Sequence, residues 1–190
     1  MCWKTYDKLD LKRRSKFMLY DLLKSRRSIR KFQNKEVEKE KIDIILKSAL
    51  MAPSSRSRRP WEFIAVTDKE KLEKLSKIRE HSSDFLAGAP LGIVVVANPK
   101  TCDVWIEDSS IAAIIIQLSA QSLGLGSCWI QVRERFGRNN KRAGDIVKEI
   151  LQIPDEYEVE CIIAVGYSAE EKKPYNVDEL PYNKLHFESF

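Results

Sequence analysis

Three arginines and a serine crowd the stretch SRRSIRKF, residues 25–32, where Arg26, Arg27 and Arg30 surround Ser28. A guanidinium presents a planar fork of donors and a hydroxyl adds one more, so the set suits an anion with several oxygens, a phosphate above all. A solvated basic face would look the same in isolation. A second basic stretch, PSSRSRRP over residues 53–60, interleaves Ser54, Ser55 and Ser57 with Arg56, Arg58 and Arg59. Two cationic, serine-bearing segments in one small chain point to a bound anionic group.

Other chemistries have less support. His81 and His186 stand far apart, and Cys2, Cys102, Cys128 and Cys161 are scattered with no C-x-x-C, so neither a metal site nor a disulfide framework is expected. Gly124 and Gly126 invite a dinucleotide fingerprint, but residue 129 is Trp where the third glycine belongs, and the order is helix to strand. No phosphate-binding G-x-x-x-x-G-K-[ST], H-E-x-x-H or G-x-S-x-G occurs. With so little histidine, a cofactor that brings its own chemistry is the better expectation. Glu107 and Asp108 read as the first turn of a helix, where carboxylates complement the macrodipole.

The 190 residues, 43% hydrophobic and 32% charged, are enough for one self-sufficient core, and the seven glycines and seven prolines leave little for linkers. A net charge of +5 favours an anionic ligand without demanding nucleic acid. No run approaches the roughly 20 apolar residues of a membrane span, and the N-terminus lacks the apolar stretch of a signal peptide. A reducing cytoplasm is the expected setting.

The elements that must carry the basic segments are legible. A helical pattern runs over 9–24. Another carries Ile42, Ile45, Leu46, Ala49 and Leu50 on one face and closes before Pro53. WEFIAVT reads as a strand that Trp61 enters as a core residue, and 68–79 as a helix capped by Asp68. LGIVVVA, residues 91–97, is a fully buried strand. Residues 106–123 form a helix apolar nearly all round from Ile111 to Ala120, which must be covered on more than one side. Strands follow at 126–132 and 158–167, with a helix over 141–151 between them.

In this order, R-x-S-x-R at Arg26, Ser28 and Arg30, then A-P-S-S at 52–55 with Pro60 and Trp61, resembles the nitroreductase family of flavin mononucleotide (FMN) enzymes. LGLGSCWI, residues 123–130, and AVGYSAEEKKPY, residues 164–175, extend the resemblance, which covers residues 19–190 and leaves 1–18 as an N-terminal extension. It implies an α+β fold, with a central, mostly antiparallel sheet flanked by helices, in an intertwined homodimer. It also implies NADH or NADPH as electron donor and a small-molecule acceptor such as a nitroaromatic or a quinone. Arg26 and Ser28 would hold the phosphate, with Arg27 lending its backbone or pointing outward, and Arg30 would stand at the N1–O2 edge of the flavin.

The resemblance further places Pro53, Ser54, Ser55 and Ser57 along the flavin, from the partner subunit. Gln131 and Gly166 would meet the cofactor at strand ends, and Lys172 and Lys173 would form a basic element near the phosphate. The sequence departs from the pattern at Ser57, usually Asn, and at Arg59, usually Gln. Asn and Gln both donate and accept, whereas Arg only donates, so contacts there differ and acidic acceptors gain weight. The rival readings are a flavin-binding sensor or carrier with little turnover, and a basic module that grips a polyanion such as nucleic acid. The polyanion reading lacks interleaved aromatics for base stacking.

Overall fold

The computed structural model describes residues 18–137 and 140–190. They divide into two compact units, one formed by the two chain ends up to Arg26 and from Lys173, the other by Arg27–Lys172. Of the expected extension over 1–18, only Met18 is described, and it opens helix α1 (Met18–Ser25). The start of the helix expected from residue 9 lies outside the described residues. In the terminal unit the Tyr175 N–H donates to the Lys24 carbonyl at 2.9 Å. Single turns at Val177–Glu179 and Tyr182–Lys184 follow, and His186 stacks on Phe190 at 4.3 Å.

The larger unit is α+β. Its helices are α2 (Lys39–Leu50), α3 (Lys69–Ser76), α4 (Trp105–Ser122) and α5 (Ala143–Leu151), and its strands are β1 (Trp61–Val66), β2 (Leu91–Ala97), β3 (Gly126–Gln131) and β4 (Glu158–Gly166). The four strands form one sheet in the order β1-β2-β4-β3, with every pairing antiparallel. Both central strands are covered on both faces, which is why β2 reads as an unbroken apolar run rather than an alternation. Val94 and Val96 of β2 join Leu72 and Leu75 of α3 and Val147 of α5 on one side. Ile93 and Val95 join Ile45 and Ala49 of α2 and Ala113 and Ile116 of α4 on the other.

Local signals hold where they are strong. Asp68 accepts from the Lys71 N–H at 2.8 Å and starts α3 as a side-chain cap. Trp61 is buried among Ala52 and Ala112. Leu50 departs from its expected inward face and is exposed, as are Ile44 and Met51. A β-bulge between Val95 and Val96 skips Glu160 of β4 in the pairing. The Glu160 carboxyl reaches Ser110 of α4 at 3.4 Å and Arg133 at 3.3 Å, and burial raises its pKa although Arg133 opposes the shift. Burial also pushes the Cys161 thiol well up, so this cysteine is inert.

Candidate functional site

The basic segment is laid along the end of the sheet. Ser28 bridges Ser127 of β3 in parallel, and the Ile29 N–H donates to the Ser127 carbonyl at 3.0 Å. Ile29 is buried directly against Gly126, where an added Cβ would stand 2.8 Å from Ile29 Cγ1, so glycine is what lets the segment come this close. Phe32 bridges Ser168, the Gln33 N–H donates to the Tyr167 carbonyl at 2.9 Å, and the Ala169 N–H donates to the Lys31 carbonyl at 2.8 Å. The segment is therefore held at β3 and again beyond the end of β4. Burial changes along it, from half-buried Ser28 through buried Ile29 to exposed Arg30, whose guanidinium carbon lies 5.8 Å from the centre of the Phe85 ring.

One carboxylate sits among these donors. Glu170 Oε1 accepts from the backbone N–H of Arg30 at 2.6 Å and of Lys31 at 3.2 Å, and its Oε2 lies 2.9 Å from Lys172 Nζ. The Arg30 N–H first, then Lys172, hold the Glu170 pKa down to about 2, so it is a standing anion at any ordinary pH. Behind Ser127, buried Gln117 of α4 donates to its hydroxyl at 3.4 Å. The structure thus brings Ser28, Arg30 and Lys172 into one neighbourhood. Arg27 is half-buried at the start of the same segment, while Arg26, whose N–H donates to the Leu22 carbonyl at 2.8 Å, and Lys173 belong to the terminal unit.

The second basic segment is tethered elsewhere. The Ser55 N–H donates to Asp108 Oδ1 at 2.9 Å, and the Cys102 thiol donates to Asp108 Oδ2 at 3.4 Å, so Asp108, in the first turn of α4, anchors the loop. The Arg59 N–H donates to Ser54 Oγ at 3.0 Å, and Arg58 pairs with Asp103 at 3.4 Å. Arg56, Ser57 and Arg59 all adopt left-handed backbone, with φ of 51°, 53° and 48°. Three such residues without a glycine among them is a costly conformation, of a kind that clusters at functional loops. Pro53 and Ser57 are exposed and Ser54 and Ser55 half-buried.

Gln131 ends β3 with its amide engaged at both ends, accepting from Trp129 Nε1 at 2.9 Å and donating to the Arg133 carbonyl at 3.1 Å. Gly166 ends β4, and an added Cβ there would fall 2.5 Å from Pro90 Cδ, so packing alone requires the glycine. Two residues of this arrangement escaped sequence reasoning: Asp108 in its role as loop anchor, and Glu170, a single acid in a charged run. Among the described residues no cluster of acidic, histidine or cysteine side chains could hold a metal ion.

The profile of the nitroreductase family matches residues 23–82 and 74–167, which include the arginine segment, the serine loop and all four strands. The chain belongs to the nitroreductase family. An FMN-dependent nitroreductase of Clostridium difficile superposes with a TM-score of 0.88 at 58% identity, over 89% of this chain and 98% of that one. A protein of Archaeoglobus fulgidus, provisionally named an NADH dehydrogenase/NAD(P)H nitroreductase, is 36% identical over 83% of this chain and 90% of its own length. An FMN reductase (NADPH) of Bacillus subtilis is 29% identical over 83% of this nitroreductase-family chain and 70% of its own.

Proposed function

We propose that the protein is an FMN-dependent oxidoreductase that takes hydride from NADH or NADPH and reduces nitroaromatic, quinone or related small electron acceptors. The observation that carries this reading is the 28–33 segment pinned along the sheet edge, with the Ser28 hydroxyl and the Arg30 guanidinium borne on it. The Ser28 hydroxyl and the guanidiniums of the segment fit an FMN phosphate, while the N–H groups of Arg30 and Lys31 are taken by the Glu170 carboxylate. Bound there, FMN would supply the two-electron redox chemistry of a ping-pong exchange between the nicotinamide and the acceptor.

The chain's part is to bind, orient and set the potential. Arg26 and Ser28 grip the phosphate, and Arg30 places a fixed cation at the ring edge, favouring the electron-rich reduced state. Pro53, Ser54, Ser55 and Ser57, on the strained loop, lie along the flavin of a second copy in a homodimer. Ile111 and Ile114 of α4 and Ile44, Leu50 and Met51 of α2 and its end leave apolar surface exposed on two packed helices, which supports pairing through these helices. Arg56 and Arg59 on this loop favour acceptors that carry an acidic group.

Purified protein is expected to be yellow, to release FMN on denaturation, and to oxidise NADH or NADPH when a quinone or nitroarene is supplied. A colourless protein that cannot be reconstituted with FMN overturns the reading, and a flavoprotein without turnover converts it to a sensor or carrier. Arg26→Ala is expected to weaken FMN binding about ten- to a hundredfold, because a charge-assisted phosphate contact is lost, and equilibrium dialysis measures it.

A further inference from the structure

We propose that Glu170 is a positioning residue, whose carboxylate fixes the backbone of Arg30 and Lys31 and so presents the Arg30 guanidinium in one place. The backbone of this segment is tied to β3 through the Ile29 N–H, and to the chain just beyond β4 through the Lys31 carbonyl and the Gln33 N–H. The Arg30 and Lys31 N–H groups instead meet one oxygen of one side chain, Glu170 Oε1, at 2.6 and 3.2 Å. Two successive N–H groups converging on one carboxylate oxygen lock the intervening peptide more firmly than a single neutral bond would.

Glu170 is itself held. Its N–H donates to Ser168 Oγ at 3.2 Å, Ser168 Oγ donates to its carbonyl at 2.5 Å, and the adjacent Ala169 N–H donates to the Lys31 carbonyl. Its side chain is only 15% exposed. Lys172 engages the other oxygen, Oε2, at 2.9 Å, so Lys172 works as part of this support and its charge is largely neutralised there. The low pKa of the carboxylate agrees with such a placement.

The flavin arm of the test rests on the reading above, and the amide arm does not. Glu170→Asp keeps the charge but withdraws it by one methylene, whereas Glu170→Gln keeps an acceptor at the same reach and removes the charge. In FMN-free protein, Glu170→Asp is expected to speed hydrogen exchange at the Arg30 and Lys31 amides about tenfold or more, with the β2 amides unaffected, and Glu170→Gln to preserve most of the protection. In FMN-loaded protein, Glu170→Asp is expected to lower the flavin potential, and to lower it no further in an Arg30→Gln background.

Unchanged exchange in Glu170→Asp overturns the proposal. So does an effect confined to Glu170→Gln, or a potential shift that persists in full without Arg30, since each marks a role of charge alone. If the wild-type chain takes up no FMN, the functional reading fails and the exchange experiment still decides the role of Glu170.

Discussion

Arg30 lies on a segment whose backbone is pinned on both sides of it, so removing its charge leaves the chain path intact. Arg30→Gln is expected to keep FMN bound and to lower its reduction potential, with slower reduction by NAD(P)H following. A redox titration measures the shift, and an unchanged potential contradicts a cation at the ring edge. Glu170 gives a pH dependence of definite sign. Its folded pKa of about 2 lies below the ordinary 4.5, so its stabilisation is complete above the ordinary value and disappears as pH falls from 4.5 through about 2. The stability advantage of wild type over Glu170→Gln, read by denaturant unfolding, should therefore shrink steadily over that window. The arginines and Ser28 were legible because their chemistry is local. Glu170 was not, because it lies 140 positions from Arg30 and only the sheet brings the two together.

The 53–60 loop is the element where local sequence and local structure disagree most. Its residues carry no glycine, yet three of them are left-handed, and hydrogen bonds to Asp108 and Ser54 hold them there. Asn tolerates this backbone better than Ser, so Ser57→Asn is expected to stabilise the fold by up to about 1 kcal/mol. A denaturation midpoint that falls would show that the Ser57 side chain has a contact worth more than the strain. Strands and helices were readable because β2 and α4 bury long apolar runs, and Asp68 announces α3 with its own side chain. The β-bulge at Val95–Val96 was not readable, since nothing in LGIVVVA marks where the register against β4 slips. Nor does the apolar spacing of α2 reveal that Leu50 faces outward while its neighbour Ala49 is fully buried.

At the scale of the molecule, α4 is buried on one side and bare on another. Ala112, Ala113, Ile116 and Ala120 are buried against the rest of the larger unit, while Ile111 and Ile114 remain 38% and 37% exposed. Ile114→Glu places a charge on that remaining apolar face and is expected to yield flavin-poor monomer or aggregate. Sedimentation read at protein and flavin wavelengths together tests this, and a monomer with stoichiometric FMN and turnover would rule out a shared site. The contact of Ile29 with Ser127 has a separate consequence. β3 ends the sheet, and the segment that bears Ser28 and Arg30 also shields part of its outer edge. Whatever loosens that segment uncovers a strand edge able to recruit a second chain, so a substitution that frees Ile29 from Ser127 would be felt first as lost solubility.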